Sequence, residues 1–360
     1  MRITAPKAIL AGVAAIGLAG MLAACGTAPS SSSTAASSKY LPCIVSDSGG
    51  FNDHSFNQLG LQGVQQAAKK LGTSYKQVQS KTASDYTPNV SQLISEKCNI
   101  IVASGFNLVS TVQAAAKSNA KTDFAMIDDN SIKAPNVKPV VFNTNEAAFL
   151  GGYAAAAYSK TGVVATYGGQ ELPSVTIYMD GFYDGVQYYN KQNSKNVQVL
   201  GWNEQTQKGT FVGNFTDQNS SKTIATNFID QKADVIVPVA GSLYQGAGAA
   251  IRSSGASAVL EGVDADVFLT DTAGYQDLLL TSILKNIQPT VATVVEQAAS
   301  KSKFDNTQYV GTLKNNGVGL APFHDFASKI PSTLTAQLAK IKAGLIDGSI
   351  TAASPSAFKS

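Results

Sequence analysis

The sequence predicts an α/β protein of two similar lobes, each built on a doubly wound parallel sheet and joined to the other by crossing hinge strands. Three observations lead to this fold class. Short apolar strands alternate with helical segments along most of the chain, a pattern typical of parallel sheets with right-handed crossovers. The alternation runs as two successive series. About 320 residues follow the N-terminal leader, which is more than one hydrophobic core usually organises.

The first series opens with a short apolar run at 41–45, which predicts a buried strand. Apolar residues then recur at helical spacing from Leu59 to Leu71, and Gly72 is placed to act as the C-cap of that helix. Further strands are predicted at 75–78, 100–103, 124–127 and 140–142. The helices between them are predicted at about 88–97, with Pro88 in the first helical position, and at 107–119.

The second series repeats this alternation. It comprises helices at 146–159, 173–191, 219–231 and 243–254, and strands at 163–167, 197–201, 235–239 and 258–263. A strand at 278–283, a helix at about 288–302, a strand at 318–320 and a helix at 332–343 follow. These late elements are expected to return to the first lobe and then cross back, giving a hinge that allows closure. The first lobe is therefore predicted to comprise 40–143 plus about 283–314, and the second 144–282 plus about 315–360.

The N-terminal sequence predicts the cellular location of the protein. A basic stretch with Arg2 and Lys7 precedes an apolar segment at 8–24, which ends in Leu-Ala-Ala before Cys25. This resembles a bacterial lipoprotein signal, with 1–24 removed and Cys25 lipidated; a plain signal peptide or an N-terminal anchor is the alternative. Residues 25–39 comprise that Cys and a stretch rich in Ser and Ala, and this composition predicts a flexible tether. The expected location is the extracytoplasmic face of the cell membrane, through a lipid anchor.

The charge balance limits the partners. Removing the signal takes away two of the 27 Lys and Arg and none of the 24 Asp and Glu, which leaves a net charge of +1. A nucleic-acid-binding protein would need a basic face, so no nucleic-acid partner is expected. No other segment is long and apolar enough to span a bilayer, so transport would require separate membrane subunits.

Two cysteines remain after Cys25. Cys43 lies on the first predicted strand and Cys98 just precedes the strand at 100–103. An extracytoplasmic site permits a disulfide between them, but two buried free thiols fit the sequence about as well, because geometry decides the matter. His54 and His324 do not complete a tetrahedral ligand spacing with these cysteines, so neither a metal nor a cofactor is expected.

Residues 47–57, Asp-Ser-Gly-Gly-Phe-Asn-Asp-His-Ser-Phe-Asn, lie between the first strand and the first helix. A turn in this position falls at the carboxyl edge of a parallel sheet, where open α/β folds bind ligands. Other chemistry-bearing residues follow strands in the same way. They are Gly105 and Phe106, Asp128 and Asp129, Gly241, Asp264, and Lys285, which is placed two residues beyond its strand. Any single Asp here could be a helix cap or turn former, but several at one edge predict a binding site.

Stretch 47–57 resembles the D-x-G-x-x-D-D-K-S-F-N signature of the basic membrane protein family. These proteins are substrate-binding lipoproteins of ABC transporters and are related to purine nucleoside receptors. The resemblance continues in order through 102–106, 142–151, 168–173, 181–185, 262–266 and 280–285. It implies a periplasmic-binding-protein type I fold that holds a nucleoside, with a purine expected, and partners consisting of an ABC permease and its ATPase. The protein is expected to act as a monomer.

The resemblance also implies roles for individual residues. The family's base-stacking pair falls on Phe56 and Phe215, and its base-contacting positions fall on Asp47 and Asp128. The ribose-holding positions fall on Gly241, Asp264 and Lys285, and Asn57 is an adjacent polar candidate. Two departures concern the choice of ligand: His54 replaces the usual Lys, and 241–246 is bulkier than the family's Gly-Gly-Thr-Gly loop.

The residue types support the same ligand class. Aromatic faces can stack on a base, and carboxylates accept hydrogen bonds from amines, ring N–H groups and hydroxyls. Several Asp against one Lys would repel a phosphorylated nucleotide. Three alternatives stay open. One is a receptor for riboflavin, a pentose or a similar ligand, another is a nucleoside hydrolase using the Asp residues, and the third is a sensor that docks to a membrane kinase instead of a permease. Common hydrolase, metalloprotease and P-loop motifs are absent from the sequence, so the expectation is a receptor and not an enzyme.

Overall fold

The computed structural model describes residues 40–359. The predicted signal peptide at 1–24, the lipidated Cys25 and the tether at 25–39 lie outside these residues. Within them, the chain forms two six-stranded sheets and one two-stranded hairpin. No helix among the described residues has both the length and the apolar character needed to cross a membrane.

The first sheet is parallel throughout. From one edge to the other it contains β13 (Tyr309–Gly311), β5 (Val137–Phe142), β4 (Asp123–Ile127), β3 (Ile100–Ser104), β1 (Pro42–Ser46) and β2 (Lys76–Val78). Strand β1 lies next to the edge strand β2, and its other neighbour is β3. The loop that follows β1 emerges at the carboxyl edge of the sheet, where open sheets bind ligands.

The second sheet has the same layout with one antiparallel edge strand. Its order is β14 (Val318–Leu320), β12 (Leu279–Lys285), β11 (Val259–Asp264), β10 (Val235–Val239), β6 (Val163–Gly168) and β7 (Gln198–Leu200). Strand β14 pairs antiparallel with β12, and the other pairs are parallel. The hairpin, which the sequence analysis did not predict, is formed by β8 (Trp202–Asn203) and β9 (Lys208–Gly209).

Helices cover both faces of each sheet. The first lobe contains α1 (Phe56–Leu71), α2 (Tyr86–Ser95), α3 (Val109–Ser118) and α9 (Ile287–Ser300); the second contains α4 (Thr144–Tyr158), α5 (Pro173–Asn193), α6 (Gln218–Asp230), α7 (Tyr244–Ser254), α8 (Val267–Thr270) and α10 (Leu334–Asp347). Alternate residues of a strand enter opposite cores: Ile44 packs with α1 and α9, whereas Val45 packs with α2 and α3. This is the doubly wound arrangement that continuous apolar strands predict.

Three segments cross between the lobes, as the sequence predicted for the late elements. They are the β5–α4 junction, the β12–α9 junction and the connection from β13 to β14. Backbone hydrogen bonds tie them together, from Asn143 N–H to Gly311 O (2.8 Å) and from Asn286 N–H to Gly317 O (2.9 Å). A bundle of three short crossings of this kind permits hinge motion without separating the lobes.

Two helix ends were predicted from local sequence signals, one correctly and one not. Helix α1 ends at Gly72, which adopts φ +65° as predicted for a C-cap. The placement of Pro88 in the first position of α2 was wrong, because that helix begins at Tyr86. A proline is tolerated there because the first N–H groups of a helix have no intrahelical acceptor. The last helix, predicted at 332–343, also begins and ends later than predicted, as α10.

Cys43 and Cys98 form a disulfide, with their Cα atoms 5.9 Å apart. Cys43 lies on β1 opposite Ile101 of β3, and Cys98 lies two residues before β3. The pairing of these neighbouring strands brings the two cysteines within bonding distance. The disulfide therefore ties β1 to the segment that leads into its neighbour β3.

Candidate functional site

The carboxyl edges of the two sheets face each other across a cleft. The space between them is about 610 Å³, a figure that includes solvent open at its mouth. The lining comes from both lobes: Asp47, Gly49, Asp53, Phe56, Asn57, Gly105, Phe106, Asp128 and Lys285 on one side or at the hinge, and Leu172, Ser174, Val175, Tyr178, Phe215, Val239, Ala240, Gly241, Ser242, Val263 and Asp264 on the other.

An amide and two carboxylates form one end of the site. The side-chain nitrogen of Asn57 donates to Asp47 (2.9 Å) and Asp53 (3.1 Å). Asp53 also accepts from the backbone N–H groups of Asn57 (2.8 Å) and Gln58 (3.0 Å), which caps the start of α1. The side-chain oxygen of Asn57 is buried and has no partner among the described residues. This end therefore presents acceptors to a ligand that carries N–H or O–H groups.

Burial changes the protonation of these carboxyls. It raises the pKa of Asp53 to about 6, against the hydrogen bonds from the helix N-terminus that lower it. Burial also raises the pKa of Asp47, and the hydrogen bonds from Gly49 N–H and Asn57 work in the opposite direction. Asp53 is thus poised to take up a proton in mildly acidic solution and so to gain a donor beside its remaining acceptor.

Lys285 is the one cation that lines the cavity within residues 40–359, and carboxylates surround it. Its Nζ lies 2.8 Å from Asp128 and 3.6 Å from Asp264, and its side chain is 3% exposed. Burial lowers the pKa of Lys285, but the two carboxylates outweigh that effect and hold it above its ordinary value. The Tyr178 hydroxyl donates to Asp264 at 2.7 Å. Lys285 is therefore charged, and it orients both acids.

Each lobe contributes an aromatic side chain. Phe56 opens α1 in the first lobe, and its ring centroid lies 5.0 Å from Lys285 Nζ. Phe215 lies in the second lobe, in the loop before α6, and a Cβ atom at Gly169 would come within 2.3 Å of its ring. Both rings are half-buried and line the same cavity. The lining of the cavity therefore includes one aromatic side chain from each lobe.

The lobes touch at both ends of this cleft. On one side, Asn107 donates to Gln170 at 3.0 Å. On the other, the Thr270 hydroxyl donates to the carbonyl oxygen of His54 at 2.9 Å. The structure is therefore a closed form, in which side chains of both lobes enclose the cavity.

All eight predicted ligand-binding residues line this cavity: Asp47, Phe56, Asn57, Asp128, Phe215, Gly241, Asp264 and Lys285. The structure corrects one detail, because Lys285 is the last residue of β12 and does not lie two residues beyond the strand. Strand β12 is longer than predicted because residues 283–285 pair with β14. Strand β11 is extended by pairing in the same way: its last residue is Asp264, which is paired with Leu284 of β12.

Sequence reasoning missed four polar residues of the site: Asp53, Ser174, Tyr178 and Ser242. Tyr178 is on the second turn of α5, on the same face as Ser174, which also lines the cavity. The signal available was that α5 starts just after β6 at the ligand-binding edge. Asp53 was visible as the second Asp of stretch 47–57 but was not selected. Among residues 40–359, no group of three or more His, Cys, Asp or Glu side chains is placed to hold a metal ion.

Comparison with known sequences identifies the family. Residues 42–347 match the model of the family described as Bmp, ABC transporter substrate-binding protein PnrA-like. The chain is 31% identical over 328 residues to the ABC transporter nucleoside-binding protein BmpA of Lactococcus lactis subsp. cremoris, covering 86% of this chain and 87% of that protein. It is 27% identical over 331 residues to the CD4+ T-cell-stimulating antigen of Listeria monocytogenes, covering 87% and 88%.

Solved structures give the same fold. An ABC transporter solute-binding protein from Aeropyrum pernix K1 superposes with a TM-score of 0.73 at 23% identity, covering 88% of this chain and 94% of that one. One from Conexibacter woesei gives a TM-score of 0.67 at 20% identity, covering 87% and 98%. The predicted periplasmic-binding-protein type I fold is thereby confirmed. With the family match over most of its length, the chain belongs to the Bmp family of PnrA-like ABC transporter substrate-binding proteins.

Proposed function

We propose that this protein captures a nucleoside, with a purine as the preferred base, in the cleft between its lobes and delivers it to a membrane permease. The observation that carries the proposal is the composition of the enclosed cavity. Two aromatic rings come from opposite lobes, and the lining contains four carboxylates and a single lysine. The L. lactis relative, named a nucleoside-binding protein, supports the same ligand class.

The aromatic pair accounts for recognition of a base. Stacking of a nucleobase on an aromatic side chain contributes about 1–3 kcal/mol and depends little on the identity of the base. Phe56 and Phe215 belong to different lobes, so a base between them would be held from both sides only when the cleft is closed. Stacking would then link ligand binding to closure.

The charged groups favour an uncharged guest. Asp47 and Asp128 offer acceptors for base N–H groups, and Asp264 and Lys285 offer an acceptor and a donor for ribose hydroxyls. The excess of carboxylates over cations in the lining would repel a phosphate group. A nucleoside 5′-phosphate should therefore bind much more weakly than the nucleoside.

The direct test is titration calorimetry of the purified protein with inosine, adenosine, guanosine, the free bases, ribose, riboflavin and a nucleoside 5′-phosphate. We expect binding of purine nucleosides, weaker binding of bases and little binding of the phosphate. Mass spectrometry of any small molecule released on denaturation gives an independent answer. Riboflavin or a pentose bound more tightly than every nucleoside would refute the proposed ligand.

A nucleoside hydrolase is the alternative from a different class, because the cavity contains several carboxyls. The family is one of transporter substrate-binding proteins, which favours binding without turnover. Chromatography of inosine and adenosine after long incubation with the protein distinguishes the two. Release of free base would show that the protein is an enzyme.

The same proposal includes the cellular setting. Residues 1–24 would be removed as a lipoprotein signal, and lipidated Cys25 would hold the protein on the extracytoplasmic face of the membrane through the tether at 25–39. Relatives from Pyrococcus species are named lipoproteins. Metabolic labelling with a fatty acid should therefore modify the wild-type protein and leave a Cys25→Ser variant unlabelled.

Asp264→Ala is expected to weaken nucleoside binding by about 1.5–3 kcal/mol, the range for loss of a hydrogen bond to a charged group. Asp266→Ala is the matched control, since that carboxylate is two residues away, does not line the cavity and is bound by His324 at 2.9 Å. Calorimetry should show a loss for the first variant alone. Unchanged affinity in Asp264→Ala would reject the ribose-holding role.

Phe56→Ala should weaken nucleoside binding by about 1–3 kcal/mol through loss of stacking. Binding of free ribose should change little, because ribose has no flat face to cover. The comparison of the two ligands by calorimetry separates stacking from a general effect on the cleft. Equal losses for nucleoside and ribose would rule out the stacking role.

A further inference from the structure

The loop between β1 and α1 makes a direct contact with a ligand-binding residue of the other lobe. The Ser55 hydroxyl lies 3.2 Å from Oδ2 of Asp264 and 3.1 Å from the carbonyl oxygen of Val263. Ser55 is 1% exposed and is not among the residues that line the cavity. Any influence of Ser55 on the ligand therefore acts through another residue.

The two acceptors near Ser55 differ in what else they bind. The Val263 carbonyl already accepts from the backbone N–H of Ala265 at 2.9 Å. Oδ2 of Asp264 accepts from Ser55 alone among the described residues, whereas Oδ1 is bound by Tyr178 and lies near Lys285. A hydroxyl has one proton, and a carboxylate is the stronger acceptor. Ser55 is thus the donor that holds the second oxygen of Asp264.

The donors to Asp264 come from different lobes. Tyr178 is on α5, in the same lobe as Asp264, and its bond can persist when the cleft opens. Ser55 belongs to the first lobe, so its bond exists only when the lobes are together. We propose that Ser55 is a positioning residue, which orients the Asp264 carboxylate for the ligand as the cleft closes. The proposal rests on the proposed function, in which Asp264 binds the ribose.

A neighbouring contact provides a matched control. The Thr270 hydroxyl donates to the carbonyl oxygen of His54, the residue before Ser55, and also bridges the lobes. That contact does not involve Asp264. Thr270→Val removes this interlobe bond with little change of shape, so it reports the effect of weakening closure alone.

The test is a double-mutant cycle on the full chain, measured by calorimetry with a purine nucleoside and with its free base. Ser55→Ala should weaken nucleoside binding about tenfold, as for loss of a hydrogen bond to a charged group, and should affect the free base less. In an Asp264→Asn background, Ser55→Ala should change nucleoside affinity less than about twofold. Thr270→Val should have the same effect in both backgrounds and on both ligands.

Two results would overturn the positioning role. One is a Ser55→Ala loss that is equal in both backgrounds, which would make Ser55 a simple interlobe contact like Thr270. The other is unchanged nucleoside affinity in Ser55→Ala. The same variants are compared by urea unfolding without ligand, where Ser55→Ala and Asp264→Asn should be non-additive if the bond is present.

The wild-type titration separates the two proposals. A wild-type protein that binds no nucleoside would refute the proposed function. A wild-type protein that binds the nucleoside, together with a Ser55→Ala loss that is equal in both backgrounds, would refute the positioning role and leave the proposed function in place.

Discussion

Lys285→Met is expected to abolish nucleoside binding and to lower the free energy of unfolding by about 3–5 kcal/mol, the cost of removing one partner from a buried ion pair. Without the ammonium, Asp128 and Asp264 stay buried with no compensating cation. The loss of stability should shrink in acid, because protonation removes the uncompensated charge. Urea unfolding at several pH values and calorimetry with a nucleoside measure the two effects.

Lys138→Met is the matched control. Lys138 is also buried, but it lies outside the cleft and donates to the backbone carbonyls of Asp305 (3.2 Å) and Thr307 (2.5 Å). Its replacement should reduce stability and leave nucleoside affinity unchanged. Adding Asp128→Asn to Lys285→Met should recover part of the stability without restoring binding. Full nucleoside affinity in Lys285→Met would show that the lysine is not part of the binding site.

Glu261→Gln is expected to stabilise the protein at neutral pH. Glu261 is in the middle of β11 and is fully buried, and neither carboxyl oxygen has a hydrogen-bond partner within residues 40–359. It packs against α4, since a Cβ atom at Gly151 would come within 2.8 Å of Oε2. Burial raises the pKa of Glu261 well above its ordinary value of 4.5. The carboxyl therefore keeps its proton to a higher pH in the folded protein than in the unfolded chain.

The sign of the effect follows from proton linkage. A raised pKa means that the folded state binds more protons than the unfolded state, so stability falls as pH rises above 4.5. Glutamine resembles the protonated acid and has no such dependence. The advantage of the variant should be small at pH 4 and should grow as pH rises above 4.5, by up to about 1.4 kcal/mol per pH unit.

Thermal or urea unfolding between pH 4 and pH 8 measures this difference. Glu171→Gln is the control, because it makes the same chemical change at an exposed position. A Glu261→Gln variant that is no more stable than the wild type at pH 7 would contradict the prediction. It would show that the carboxylate is charged and compensated in solution.

The strand–helix alternation was predictable because it depends on local patterns. Apolar strands and helical spacing gave the two series, and the boundary at Gly72 followed from glycine's access to positive φ. Bounds were less accurate where pairing partners are distant in sequence. Strand β12 reaches Lys285 because β14, more than thirty residues later, pairs with its end. The strand β13 was missed because its three residues carry no pattern apart from their partner β5.

The candidate site was predictable to the extent that it lies at strand ends. Parallel strands place their carboxyl ends at one edge, so Asp47 and Asp128 could be grouped from the order of elements alone. Asp264 is at the corresponding edge of the second sheet, and only the facing of the two lobes brings it to the same cavity. The contribution of Tyr178 could not be predicted in this way, because a helix residue that faces a cleft shows the same sequence pattern as one that faces the core. The assignment of Phe56 and Phe215 came from the family resemblance, and the structure places both in one cavity.

The sequence by itself determined the fold class, the two-lobe organisation and which strand ends carry charge, because periodicity and residue type act over a few residues. Only the tertiary structure decided that Cys43 is bonded to Cys98, that Lys285 lies between two carboxylates and that Ser55 reaches Asp264. Each of these depends on distances of a few ångströms between residues far apart in the chain. Such distances are set by how strands pair and how the lobes close, which no local pattern encodes.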